Sequence, residues 1–373
     1  MKVKKIKLHH VVMKLKTPFE TSFAKTVDRH CVLVEVEEEG GEIGWGEIPV
    51  DDNPYYHYET VETSLYIVKE FLAPKLLEVD FSKPADFLNA VSKVRGYMMA
   101  KAGLEMALWD LVAKIKNKPL YALLGGVRTK IVSGVSIGII GNMNSLLKSV
   151  SKFLDEGYRR IKIKIKHGWD IEPVKMIRKV FGDIPLHVDA NAAYTLENVD
   201  TFQELDKYHL LMVEQPLHYE DLAEHAELQL KIKTPICLDE SIKGIYDAKA
   251  AIKLGSCRII NIKPARVGGI EESMAIHDYA LKHGIPVWIG GMLETGVGRG
   301  FQAALATLPN IKYPNDISAS NRYYEEDIVE PPWTLNNDGT ITVPQKPGIG
   351  VEVLEEKIGK YSKRTLEIKV SSV

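Results

Sequence analysis

The sequence predicts an α/β protein, a (β/α)8-type barrel preceded by a smaller α+β unit. Three observations carry the prediction. Up to about residue 125, apolar runs that read as strands are followed by a run of helical patterns, the order of an α+β unit. Beyond Gly126 the pattern changes to strand-like runs alternating with amphipathic stretches of helical length. Charged residues then close successive runs at a nearly constant interval.

The elements follow in order. Residues 3–14 alternate (Val3, Ile6, Leu8) and read as a strand. Residues 31–38 (CVLVEVEE) alternate cleanly, and Gly40-Gly41 turns the chain into 42–47 (EIGWGE), making a hairpin. Helical patterns follow at about 57–74, 85–95 and 99–116. The last is the clearest, with Leu104, Leu108, Leu111 and Ile115 at spacings of three and four. Pro119 and Gly125-Gly126 mark a boundary. Eight candidate strands come next, at 131–137, 159–165, 185–189, 210–214, 235–239, 258–263, 286–290 and 311–317. Stretches such as 171–181 and 269–283 supply helices between them. No closing helix follows residue 317. The expected division is 1–125 as an α+β capping domain, 126–340 as the catalytic barrel, and 341–373 as a tail returning towards the capping domain.

Composition narrows the class. The 373 residues favour two domains. With 45% hydrophobic and 26% charged residues, the chain matches an ordinary soluble globular protein, which excludes extensive disorder. A net charge of −2 argues against a nucleic-acid partner. No stretch approaches the ~20 apolar residues of a membrane-spanning helix, and the basic N-terminus lacks the apolar core of a signal peptide. Cys31, Cys237 and Cys257 are odd in number and far apart, so they read as buried thiols in a reduced setting. A cytoplasmic protein with no membrane partner is expected.

The ends of the strands carry the chemistry. Lys164, Asp189, Glu214, Asp239 and Lys263 fall 25, 25, 25 and 24 residues apart, one βα unit per step. All should lie at one height at the C-terminal strand ends, where barrel active sites are built. Three carboxylates on adjacent strands would repel one another unless neutralised. A hard divalent cation resolves this, and oxygen-only ligands point to Mg²⁺, Mn²⁺ or Ca²⁺. Few protein ligands, completed by substrate oxygens and water, favour Mg²⁺. Lys162, Lys164 and Lys166 alternate with Ile161, Ile163 and Ile165 and so share one face of their strand. Both faces of a parallel barrel strand are covered, so an inward lysine row must meet anions. A carboxylate substrate at the cation would present its α-carbon to a lysine on either side. The implied reaction class is proton abstraction α to a carboxylate. Two opposed bases permit racemisation. One base that returns its proton to a leaving group permits elimination.

At these residues the sequence resembles the muconate-lactonising subgroup of the enolase superfamily, whose members use a lysine or histidine base with Mg²⁺. The likeness runs over nearly the whole chain and includes AKAGLEMALWDLVAKIKNKPLYALLGG (100–126), KIK (162–164), VDANAAYT (188–195), VEQPL (213–217), CLDES (237–241) and NIKPARVGG (261–269). Within the subgroup it is most similar to the o-succinylbenzoate synthase/N-acylamino acid racemase family, on GWGEIPVDDNPYYHYET (44–60), GVSIGI (134–139), GGMLETGVGRG (290–300) and DISASNRYYEEDI (316–328). The resemblance implies a modified (β/α)7β TIM-type barrel under an α+β cap. It implies Asp189, Glu214 and Asp239 as Mg²⁺ ligands (Mn²⁺ as a substitute), Lys164 and Lys263 as the acid/base pair, and Lys162 beside the substrate carboxylate. Lys166 lies outside that pair and reads as structural. Phe19, Phe23 and Tyr55 would line an apolar pocket on the capping loops 17–23 and 51–56, with Ser136 and Met292 as further pocket residues. Asn191 would support the metal site, and Glu294 reads as a loop residue. A homo-oligomer, dimer or octamer, is implied.

The leading expectation is a Mg²⁺-dependent N-acylamino acid (N-succinylamino acid) racemase and/or an o-succinylbenzoate synthase of menaquinone synthesis, acting on a small-molecule carboxylate. A dipeptide epimerase or a muconate cycloisomerase-type enzyme is the alternative. Dipeptide epimerases carry Asp-x-Asp after the last strand, where this chain has Asp316-Ile317-Ser318. A mandelate-racemase pattern wants a histidine where this chain has Trp288-Ile289-Gly290-Gly291. Two other classes are a metal-independent lyase forming a Schiff base on Lys164 or Lys263 and a non-catalytic barrel.

Overall fold

The computed structural model describes residues 1–369, so the end of the predicted tail, 370–373, lies outside the described residues. The chain opens with a four-stranded antiparallel sheet ordered Ser362–Lys369, Val3–Glu20, Lys25–Glu38, Ile43–Ile48. Val3–Glu20 and Lys25–Glu38 run longer than the alternating pattern suggests. Phe19–Glu20 and Lys25–Thr26 pair beyond an irregularity after Lys14, and the hairpin carries the 20s loop out over the barrel. The C-terminal strand Ser362–Lys369 pairs with Val3–Glu20.

The helix Met98–Ile115 lies against this sheet and is buried on nearly every side. The Leu104/Leu108/Leu111 stripe is buried, whereas Ile115 at its end is half exposed. The helix is sandwiched between the capping sheet and the barrel, so even Lys101, Glu105 and Asp110 are buried. Contact with the strand Ile43–Ile48 is tight. A Cβ at Gly44 or Gly46 would sit 2.1 Å from the carbonyl oxygen of Ala107 or Gly103, so only glycine fits. Glu105 caps the barrel helix Ile270–Lys282, accepting from the Ile270 and Glu271 N–H groups at 2.9 and 3.0 Å. Asp110 accepts from Trp45 N and Ile349 N at 2.9 and 2.8 Å. Buried carboxylates therefore join the cap to the barrel.

Seven parallel strands, Val135–Ile137, Ile161–Lys164, Leu186–Asp189, Val213–Glu214, Ile236–Leu238, Ile259–Ile262 and Val287–Ile289, form one sheet in sequence order. The predicted first strand, 131–137, is split. Lys130–Val132 pairs with Thr340–Thr342, and only Val135–Ile137 enters the barrel. The helices Ile171–Phe181 and Ile270–Lys282 fall where the amphipathic pattern puts them. The expected eighth strand, 311–317, is not a regular strand. It makes single bridges, Val287↔Ile311 on one side and Ser133↔Asn315 on the other. Backbone bonds from Lys312 N and Asp316 N to the last strand, and from Asn315 N to Val132 O, hold it in the gap. Pro314 removes a ladder donor in its middle. The segment closes the barrel and is followed directly by the 3₁₀ turn Ser320–Arg322 rather than by a barrel helix, giving (β/α)7β.

Only the first three strand-end charges pair straight across the sheet. Lys164 is opposite Asp189, and Asp189 opposite Glu214, but Glu214 pairs with Cys237 and Leu238 with Ile260. Asp239 and Lys263 therefore each sit about two residues further along than their neighbours. The climb averages about one residue per strand, the stagger that a tilted eight-position barrel needs to close. The side chains thus stay on the inner face and at one level along the barrel axis.

Candidate active site

The three acids come from adjacent strands and are completely buried. One carboxylate oxygen of each of Asp189, Glu214 and Asp239 lies within 4.8 Å of those of the other two. Lysines surround them. Lys164 Nζ is 2.6 Å from Asp189 Oδ2, and Lys162 Nζ is 3.0 Å from Glu214 Oε2 and 3.4 Å from Asp189 Oδ2. Lys263 Nζ is 2.8 Å from Asp239 Oδ2. Lys164 and Lys263 belong to strands four places apart among eight barrel positions, so they face each other with the acid strands between them.

Further groups tune this cluster. Asp316, on the closing segment, is ion-paired with both Arg160 and Lys162. Burial works against the charge of Lys162, but Asp316, Glu214 and Asp189 outweigh it and hold the ammonium well above its ordinary range. Burial likewise opposes the charge of Asp239, and Arg266 and Lys263 overcome it, so this carboxyl is held below the usual range. Glu240 is the opposite case. Burial first, then Asp239 and Asp189, push it up to about 8, and Asn191 Nδ2 donates to it at 2.8 Å. His187, behind Glu214, is driven well down by burial and stays neutral. Asn261 Nδ2 donates to Glu214 Oε1 at 2.8 Å. Gln215 Oε1 accepts from Asp239 N and Ser241 N at 3.0 and 3.1 Å, which fixes the loop carrying Asp239. Asn191, Gln215 and Leu293 hold left-handed backbone at the strand ends, where strained conformations gather around functional sites.

A cavity of about 400 Å³ opens above the cluster, between barrel mouth and cap. Lys162, Lys164, Lys263, Asn191, Ser136 and Met292 line it from the barrel side. Phe19, Phe23 and Tyr55 line it from the capping loops, with Phe23 half exposed and Tyr55 69% exposed at the rim. Asp189, Glu214 and Asp239 sit directly behind the lysines. Ser136 Oγ donates to Asp316 Oδ2 at 3.1 Å. Glu294 Oε2 accepts from Met292 N at 2.7 Å and shapes that loop. Lys166 lies outside the lining and pairs with Glu20 at 3.5 Å.

Sequence reasoning passes over three side chains that the fold brings here. Arg266, three residues after Lys263, is ion-paired with Asp239; the NIKPARVGG stretch holds that signal. Tyr56, the neighbour of Tyr55, reaches Lys263 Nζ at 2.8 Å. Asp316 reads in the sequence only as half of an Asp-x-Asp pair, although it is the buried partner of Lys162.

The comparisons with known proteins fit this geometry. Residues 3–125 match the model of the mandelate racemase/muconate lactonizing enzyme N-terminal domain. Residues 145–357 match the enolase C-terminal domain-like model. The chain belongs to the mandelate racemase/muconate lactonizing enzyme family of the enolase superfamily. It is 46% identical to the o-succinylbenzoate synthase of Bacillus subtilis, over 97% of each chain. It is 45% identical to the N-succinylamino acid racemase of Thermus thermophilus, over 95% of each. A crystal structure of an enolase superfamily member from Listeria innocua superposes with a TM-score of 0.95 at 41% identity, covering 99% of both chains. These two relatives thus carry different activity names. No helix among the described residues is long and apolar enough to cross a membrane.

The acid triad fits a hard divalent cation. Its donors are all carboxylate oxygens, brought together by three adjacent strands and buried, with no thiolate or imidazole in the set.

Proposed function

We propose that the enzyme removes the proton α to a carboxylate with Mg²⁺ held by Asp189, Glu214 and Asp239, Mn²⁺ being a substitute. When bound, the cation supplies positive charge where the enolate's negative charge develops. Lys162, kept protonated by Asp316 and the acids, pairs with the substrate carboxylate and orients it. Lys164 takes the α proton from one face, and Lys263 delivers a proton to the other. In the opposite direction their roles exchange. The observation that carries this reading is the placement of two lysines on strands four apart, facing one cavity across three convergent carboxylates.

The proposed reactions are racemisation of N-acylamino acids, N-succinylamino acids foremost, and dehydration of the cyclohexadiene precursor to o-succinylbenzoate in menaquinone synthesis. In the dehydration Lys164 takes the α proton while the Lys263 ammonium stabilises the enolate; the C–O bond then breaks, and Lys164 returns the proton to the departing hydroxyl, which leaves as water. Phe19, Phe23, Tyr55, Ser136 and Met292 would receive the side chain or acyl group, and Asn191 would brace the metal site. The relatives' names and the family's residue pattern support these substrates. A cytoplasmic homo-oligomer, dimer or octamer, belongs to the same proposal. Position 318 favours it over dipeptide epimerisation, since buried Ser318 donates to Gly134 O and supplies no second acid.

The test is chiral chromatography of N-succinyl-L-phenylalanine and N-succinyl-L-methionine incubated with enzyme, with enzyme plus EDTA, and after Mg²⁺ is restored. A parallel ultraviolet assay follows loss of the cyclohexadiene. Metal-dependent turnover in either assay is expected. Turnover that survives EDTA, with borohydride trapping on a lysine, would replace this account with a Schiff-base mechanism.

A further inference from the structure

The two lysines that face the cavity are held differently. Among the described residues, Lys164 Nζ has a single hydrogen-bond partner, Asp189. Lys263 Nζ is ion-paired with Asp239 on the barrel, and its hydrogen bond goes to the phenol of Tyr56, with Oη 2.8 Å away and the ring centroid 4.8 Å away. Tyr56 belongs to the capping loop that follows Ile43–Ile48, so the cap reaches into the cavity at this lysine.

The donor count at Tyr56 Oη defines what the phenol does. Lys263 Nζ and Arg266 Nη1, 3.1 Å away, can only donate while charged. Both phenol lone pairs are therefore occupied, and Oη is pinned between two cations. Arg266 is itself anchored by its ion pair with Asp239 and by donation to Asn261 O and Ile242 O. The Phe23 ring stacks on Tyr56 at 6.1 Å from the 20s loop, which closes the arrangement from above. Asp239 is shared among Lys263, Arg266 and the proposed cation. Tyr56 is the partner of Lys263 that stands outside the carboxylate triad.

We propose that Tyr56 is a positioning residue for Lys263. Its phenol holds the Lys263 amine on its own side of the cavity, and among the described residues no cap side chain bonds Lys164 in this way. The inference rests on the two-lysine reading of the site. It makes α-proton exchange at the two faces of the substrate unequal in its dependence on the cap. Tyr56 matters for the enantiomer whose α proton faces Lys263 and is nearly neutral for the other.

The experiment is α-proton exchange in D₂O, followed by proton NMR on the two separate enantiomers of N-succinyl-phenylalanine, with wild type and Tyr56→Phe. Phenylalanine keeps the ring and its stacking on Phe23 and removes only the hydroxyl. Loss of one such hydrogen bond corresponds to roughly a five- to tenfold slower step. The expected result is a kcat for exchange lowered by about that factor for one enantiomer, with KM unchanged and the other enantiomer within about twofold of wild type. The unaffected enantiomer also reports that the variant is folded. Equal slowing of both enantiomers, a raised KM for both, or no change in either would overturn the proposal while leaving the two-lysine reading in place. Absence of exchange in wild type with either enantiomer would overturn that reading, and this inference with it.

Discussion

Glu105 offers a test of how the cap is joined to the barrel. Its carboxylate is fully buried and accepts from Ile270 N, Glu271 N and Trp109 Nε1, at 2.9, 3.0 and 3.0 Å. Burial outweighs these bonds and pushes its pKa from 4.5 up to about 8. The folded value lies above the unfolded one. The stability this group contributes is therefore fully present below about pH 4.5 and is lost as pH rises through about 8. A displacement of that size corresponds to a loss on the order of 4–5 kcal/mol across the window. Glu105→Gln removes the ionisation but offers only one acceptor oxygen to two helix N–H groups, so it forfeits part of the cap, about 1–2 kcal/mol. The variant is thus expected to be less stable than wild type at pH 5 and equal or more stable at pH 9, with the two curves crossing. Urea denaturation at five pH values measures both. Glu47 and Glu59, each pushed up to about 7 chiefly by burial, titrate in both proteins and cancel in the difference. Parallel curves, separated by a constant amount at all pH values, would refute the linkage.

Two other variants have expected outcomes. Asp239→Asn leaves the buried Arg266 and Lys263 without their shared anion, which costs about 3–5 kcal/mol in urea denaturation. Calorimetric titration of the same variant should show Mg²⁺ binding at least about tenfold weaker than wild type. Lys166→Ala, by contrast, removes a partly exposed side chain outside the cavity, 3.5 Å from Glu20. It should change stability by no more than about 0.5 kcal/mol and leave turnover unaltered.

The barrel and the acid–lysine row are legible because one βα unit repeats at a nearly fixed length and parallel strands show their inner faces by alternation. What escapes the sequence depends on register and on long-range closure. The interval of 25 residues puts Asp239 level with Glu214, but the register runs Glu214 to Cys237, and only the barrel stagger restores the common height. The eighth strand reads as regular, yet Pro314 reduces it to single bridges on each side. The long helix reads from the Leu104, Leu108, Leu111 and Ile115 spacing as burying one face, yet Lys101, Glu105 and Asp110 are buried as well. Their burial follows from packing against both domains, which no local pattern reports. Tyr56 and Arg266 are hidden for a related reason. Lys263 and Tyr56 stand 207 residues apart, and Arg266 announces itself only once the turn Pro264–Val267 aims it at Asp239.

The central claim is that two opposed lysines exchange one α proton beside a carboxylate-held cation. The most direct measurement is proton NMR in D₂O on the separate enantiomers of N-succinyl-phenylalanine, with wild type, Lys164→Ala and Lys263→Ala, with and without Mg²⁺. Wild type should lose the α-proton signal of both enantiomers and racemise them only when Mg²⁺ is present. Each lysine variant should still exchange one enantiomer, a different one in each case, and racemise neither. Exchange of both enantiomers by both variants, or by wild type without Mg²⁺, would contradict the account.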